Sequence, residues 1–318
     1  MSRTWMRRGL LALASASALF LAACGSGSIE SQFQPSRAVA FGDGFTDQGT
    51  PANRYTVNDL TSNIWAQQLA LSYGIFLDPA TVAGGTNYAR GNARVNTKPD
   101  AAGNSATPTV KEQVEGFLAT QSFGANDLVI IGAGIGDIVA EASKVTAGTQ
   151  SREQMIANVQ QAGRDYGALI RRMVQAGAQH IAVTGTYDLS RSPWAISIGQ
   201  TALLSDASIK YNTEMLVSIV DLGANVLYLD GALLFNLMTS SPSSYGFSTV
   251  VDAACTSVDP GPGIGIGAGQ VNSSLCTPNT IVSGASYTNY MFADKIYPTP
   301  GAHRTFGDYA YQRVRSRW

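Results

Sequence analysis

The sequence predicts a single α/β domain, a three-layer sandwich with a mostly parallel sheet between helices, and three observations carry that prediction. Short apolar runs rich in β-branched residues, Leu128-Val129-Ile130-Ile131-Gly132, Ile181-Ala182-Val183-Thr184 and Val226-Leu227-Tyr228-Leu229, read as strands buried on both faces. A long amphipathic helix between the first two supplies the crossover that parallel neighbours need. A further run, Ala38-Val39-Ala40-Phe41, stops in Gly42-Asp43-Gly44-Phe45, a tight turn at a strand end, where α/β proteins place their chemistry. At 318 residues with 14% charged residues and no break in composition, the chain can bury one large core.

Taken in order, the first segment is a processing signal and not part of the fold. Arg3, Arg7 and Arg8 precede the apolar run Leu10 to Ala23, and Leu21-Ala22-Ala23 stand directly before Cys24. Small residues before a cysteine end bacterial lipoprotein signal peptides, so residues 1–23 read as the signal and Cys24 as the acylated N-terminus. The alternatives are a plain secretory signal or a short membrane anchor, for which the run is too short. Gly25 rather than an aspartate follows Cys24, and the expectation is an outer-membrane lipoprotein held in the lipid bilayer through Cys24. Residues 24–36, small and polar, suit a tether, leaving 37–318 as the domain. Without the three leader arginines, 18 basic face 22 acidic residues with no basic cluster, which argues against a nucleic-acid partner.

Within the domain, a helix is expected to begin just after Gly44, capped by Thr46, and another to cover Ser62 to Tyr73, where Trp65, Leu69 and Tyr73 recur at i+4. The long crossover helix starts at the capping-box pattern Ser151 to Gln154. It carries Met155, Ile156, Val159, Ala162, Tyr166, Leu169, Ile170 and Met173 at helical spacing and stops near Gly177. Cys255 and Cys276 enclose 20 residues rich in Gly and Pro; in an exported protein they form a disulfide, worth about 3 kcal/mol, and a zinc site is the weaker reading. Gly263-Ile264-Gly265-Ile266-Gly267-Ala268-Gly269 lies inside that loop, after Pro260 and Pro262. It therefore reads as a flexible surface loop and not a phosphate cradle.

Several separated blocks then match one family in order. Phe41-Gly42-Asp43-Gly44-Phe45-Thr46-Asp47, Gly85 to Ala93, Leu128 to Asp137, and Phe292 to Thr299 followed by Gly301-Ala302-His303-Arg304 together resemble the SGNH or GDSL family of serine ester hydrolases, in its bacterial exported branch. The resemblance implies a flavodoxin-like five-stranded sheet over residues 37–318. It also implies a serine at Gly44, a backbone donor at Gly91, an asparagine at Gly136, and an Asp-x-x-His pair at Asp294 and Tyr297. Only Gly91 and Asp294 match.

Each loss has its own chemistry. Gly44 has no side chain to form an acyl-enzyme, Gly136 offers no amide to an oxyanion, and the phenol of Tyr297 cannot do the general-base work of imidazole. In subtilisin, loss of the nucleophile or the base alone costs about 10⁶ in kcat, and loss of an oxyanion-hole side chain about 10²–10³. The candidate substitutes are Thr46 as nucleophile and His303 as base; the plain readings are a cap and a structural residue. Asp43, Asp47, Asp137 and Asp294 raise a metal site, but without His or Cys ligands the expectation is no metal and no cofactor.

The retained frame suggests a binding notch at the backbone of Gly44 and Gly91, rimmed by Arg54, Tyr55 and Arg90. Two functions follow as expectations. One is a degenerate, pseudoenzyme lipoprotein that holds an acyl-ester, lipid or glycan ligand, or a protein partner, in the former esterase pocket. The other is an ester hydrolase built on Thr46, Tyr297 or His303; a structural envelope role is a third reading.

Overall fold

Strand-forming runs that are apolar on both faces need helices on both sides, and the computed structural model, which describes residues 33–49 and 53–318, has that arrangement. The signal peptide, Cys24 and all of the tether but residues 33–36 lie outside the described residues. The elements follow as β1 (Arg37–Gly42), α1 (Trp65–Leu71), α2 (Val110–Thr120), β2 (Asp127–Gly132), α3 (Ile135–Thr146), α4 (Arg152–Gln175), β3 (His180–Thr184), α5 (Pro193–Ser197) and α6 (Thr201–Ser218). Then come β4 (Val226–Tyr228), α7 (Gly231–Ser240), β5 (Thr249–Ala253), the short pair β6 (Val258–Asp259) and β7 (Gln270–Val271), β8 (Tyr290–Phe292) and α8 (Pro300–Arg317). One layer is built on α1 against α8, the other on α3, α4 and α6.

The central sheet is parallel, in the order β1-β2-β3-β4. The expected fifth strand survives only as a contact beside β1. Ala40 bridges Asn87, the Ala40 N–H donates to the Thr86 carbonyl, and the Tyr88 N–H donates to the Ala40 carbonyl. The Arg90 N–H bonds the Gly42 carbonyl further along, while the Asn87 side chain turns inward to the Thr46 carbonyl and accepts the Ala89 N–H, so the segment runs beside β1 without forming a regular strand.

The register sets Gly42 opposite Gly132, so β1 and β2 end side by side and their following turns meet at the carboxyl edge of the sheet. Gly42 has φ +145°, and a Cβ there would lie 2.1 Å from the Gly132 carbonyl oxygen, so only glycine fits this crossing.

Three local expectations change. No helix follows Gly44: Asp43 to Thr46 form a turn, and the next helix, α1, covers Trp65–Leu71. Ser151 caps α4 by accepting from the Gln154 N–H at 3.1 Å, but the Gln154 side chain bonds Asn158, so the capping box is half formed. Gly177, at φ +97°, ends that helix as the pattern predicts. Cys255 and Cys276 are joined. The glycine-rich loop is held in place, contrary to the flexible reading: the β6–β7 pair closes it, Ile264 is buried, and the Asn92 side chain donates to the Gly263 carbonyl.

Candidate functional site

Asp294 sets the geometry. Its Oδ1 accepts the Ile296 and Tyr297 N–H groups, both at 2.7 Å, and its Oδ2 accepts the Ser273 N–H at 3.1 Å. The carboxyl thus closes the turn carrying Tyr297 and fastens the disulfide loop to it; burial pushes its pKa up. Its partners are backbone N–H groups, and it orients no imidazole, since residue 297 is a tyrosine.

Tyr297 is fully buried, with its phenol over Gly44: a Cβ on Gly44 would lie 2.7 Å from the Tyr297 Oη and 2.8 Å from its Cζ. The ring therefore takes the space that a serine side chain needs. Gly91 is covered in the same way, since a Cβ there would meet the Tyr55 ring at 2.1 Å, and the Tyr55 and Tyr297 centroids are 4.9 Å apart. The expected open notch is accordingly filled by two aromatic side chains, which overturns the expectation of a ligand bound at the backbone of Gly44 and Gly91. The backbone donor is also engaged: the Gly91 N–H bonds Asp47 Oδ2 at 2.7 Å.

Gly136 fails for a different reason. A Cβ there would lie 2.3 Å from the Ala93 carbonyl oxygen, so no asparagine fits on this backbone. The neighbouring amides serve Asp43, whose Oδ2 accepts the Gly134 and Ile135 N–H groups at 3.0 and 2.9 Å and whose Oδ1 accepts the Phe45 N–H at 3.0 Å. Burial outweighs these bonds and raises Asp43 to about 7. Asp47 and Asp137 are each raised to about 6 by the same cause. Asp137 faces Arg94 at 3.4 Å and accepts the Val95 N–H, so it serves packing.

The candidate substitutes are not placed for chemistry. Thr46 is buried, and its hydroxyl donates to the Gly132 carbonyl at 3.2 Å instead of capping a helix. His303 is fully buried and stacked on Phe45 at 5.2 Å; its Nδ1 accepts the Trp65 N–H at 3.3 Å. Burial lowers its pKa to about 3, so it is neutral and offers no proton exchange near neutral pH. Arg54 is turned away from the rim, buried against Asn58, the Ser62 carbonyl and Asp59. Arg90 and Tyr55 do meet: with Asp47, Asn53, Thr81 and Ser274 they line an open cavity of about 340 Å³ at the mouth of the filled notch. The sequence reading missed Tyr55 as a plug and Asp47 as the acceptor for Gly91. A glycine paired with a tyrosine at two family positions was the available signal.

A parallel α/β/α domain with its turns gathered at the carboxyl edge, and with the frame of an ester-hydrolase site there, defines a hydrolase-like class. Residues 39–310 match the family described as GDSL-like Lipase/Acylhydrolase, and the chain belongs to that family. Among curated proteins it is 27% identical over 156 residues to GDSL esterase/lipase At5g22810 of Arabidopsis thaliana, covering 45% of this chain and 40% of that protein. It is 27% identical over 197 residues to GDSL esterase/lipase LTL1 of the same plant, covering 58% and 51%. A third relative, an uncharacterized protein in the trpE-trpG intergenic region of Pseudomonas putida, is 26% identical over 159 residues, covering 49% of this chain and 25% of that protein. The chain spans about half or less of the length of each. Two solved structures align over 89% and 88% of the chain and 97% of their own, at 12% identity with TM-scores of 0.46 and 0.42.

Proposed function

We propose that this protein is a catalytically silent member of its family, carried at the bacterial outer membrane by an acylated Cys24. In this reading it holds an acyl-ester, lipid or glycan ligand, or a protein partner, without turning it over. The observation that carries the proposal is the fit of Tyr297 to Gly44, because a side chain that replaces the base also occupies the volume of the missing nucleophile. A mutation that only disabled an enzyme would leave an empty site, whereas here the two positions are complementary. Binding belongs to the mouth cavity beside Arg90, Tyr55 and Asp47, since the notch beneath it is closed. That cavity combines a cation, a carboxyl group and an aromatic ring, which suits a polar head or a sugar ring more than an acyl chain.

Labelling with a serine-directed fluorophosphonate tests the silent reading. No covalent adduct is expected on the intact protein under conditions that fully label an active serine hydrolase. An adduct mapped to Thr46 or to Tyr297 would refute it.

A further inference from the structure

The end of the sheet opposite the candidate site carries a surface that the mouth cavity does not use. Phe33, where the described chain enters the domain, packs its ring against His180 at 4.0 Å, Trp318 at 5.9 Å and Tyr73 at 6.2 Å. Tyr73 in turn meets Tyr311 at 5.1 Å, and Phe76, three residues on, is 82% exposed. The last turns of α8 add Arg313, Arg315 and Arg317, all exposed, and Arg315 shares a small cavity with Phe33, Gln34, Tyr73 and Tyr311. Nearby, Arg37 pairs with Asp127 and Arg171 with Asp221. Arg313 and Arg317 form no ion pair among the described residues; Arg317 donates only to the Gly223 carbonyl. A chain with more acidic than basic residues thus gathers three exposed arginines and the exposed ring of Phe76 beside the packed rings of Phe33, Tyr73 and Trp318 where it enters the fold.

We infer that this end docks on a membrane surface bearing anionic lipid headgroups. The orientation rests on the proposed lipid anchor, because Cys24 lies nine residues before Phe33, a reach of about 30 Å when extended. Arginines next to an anionic leaflet and aromatic rings at headgroup level are the two features that interfacial docking uses. An acyl chain with a basic patch gives firmer attachment than either alone. Docked this way, the carboxyl edge of the sheet and its mouth cavity face away from the bilayer. Cations at a helix carboxyl end also suit the helix dipole, so the experiment must separate the two roles.

The acylated protein is placed on phosphatidylcholine vesicles with or without phosphatidylglycerol, each carrying a headgroup spin-labelled lipid. The Trp318 signal is read as the difference between wild type and Trp318→Phe. Quenching of Trp318 is expected with phosphatidylglycerol. It is expected to be lost in neutral vesicles, at high salt, and in the R313E/R315E/R317E variant, with the glutamine set replacing that variant if charge reversal unfolds the protein. Equal quenching under all these conditions, or none under any, overturns the docking surface. Should mass spectrometry find Cys24 unacylated while the protein still sediments with phosphatidylglycerol vesicles only, the docking surface stands and the anchor falls.

Discussion

Gly44 and Gly136, the positions at which the resemblance implies a serine and an asparagine, are closed to side chains by different means. At Gly44 the obstacle is a side chain, the Tyr297 phenol, 2.7 Å from where a Cβ would stand. At Gly136 it is backbone, the Ala93 carbonyl oxygen at 2.3 Å, in a segment tied by the Ala93 N–H to Arg90 and by the Ala101 N–H to Asn92. Side-chain blocks can be undone by a partner substitution, whereas backbone blocks require a loop to move. The family site has therefore become a packed region with one reversible and one fixed closure.

The sharpest way to break that comparison is to remove the filler. Tyr297→Ala should cost about 3–5 kcal/mol in chemical unfolding, the range for emptying a large buried site. A cost under about 1 kcal/mol would mean that the ring does not support the core. Gly136→Ala comes next, at about 3 kcal/mol, because a backbone oxygen must shift to admit even one methyl group. Gly44→Ser should cost about 1–3 kcal/mol alone. Combined with Tyr297→His it should cost less than the sum of the two single changes, with a coupling of about 1–2 kcal/mol. Gly136→Ala combined with Tyr297→His should be additive within experimental error. Neither double variant should hydrolyse esters, since the Gly91 N–H stays bonded to Asp47.

A further effect is the pH dependence from Asp43. Its carboxyl titrates near 4 in the unfolded chain and at about 7 in the fold, so between those values the folded state keeps a proton that the unfolded state has lost. Its contribution is fully present below pH 4 and is lost as pH rises toward 7, with a slope of about 1.4 kcal/mol per pH unit at most. Asp47 and Asp137 act with the same sign up to about pH 6. Urea unfolding across pH 4–8 should show the decline, and Asp43→Asn should flatten part of it.

Much of the fold was legible because apolar runs such as Leu128 to Gly132 and the heptad-like face of α4 leave little choice of element. The identities of Gly44, Gly136 and Tyr297 are read directly from the sequence, and their assignment to motif positions rests on the resemblance. The filling of the notch was not legible, because it depends on Tyr297 and Tyr55 meeting across 242 residues of chain, which no local pattern encodes. The helix expected after Gly44 failed because Asp43 spends its carboxyl on the Gly134 and Ile135 amides and its carbonyl on the Thr46 and Asp47 amides, which closes a turn. Arg54 and Arg90 show the limit of reading rims from sequence: the first is buried in its own loop, and the second lines the cavity.

The most direct test of the central claim is hydrolysis of p-nitrophenyl acetate by the purified protein, measured beside its Thr46→Val/Tyr297→Phe/His303→Gln variant. Equal rates are expected, because none of these groups is placed to attack or to move a proton. A wild-type rate clearly above that of the variant would show a relocated catalytic apparatus and contradict the silent-site account.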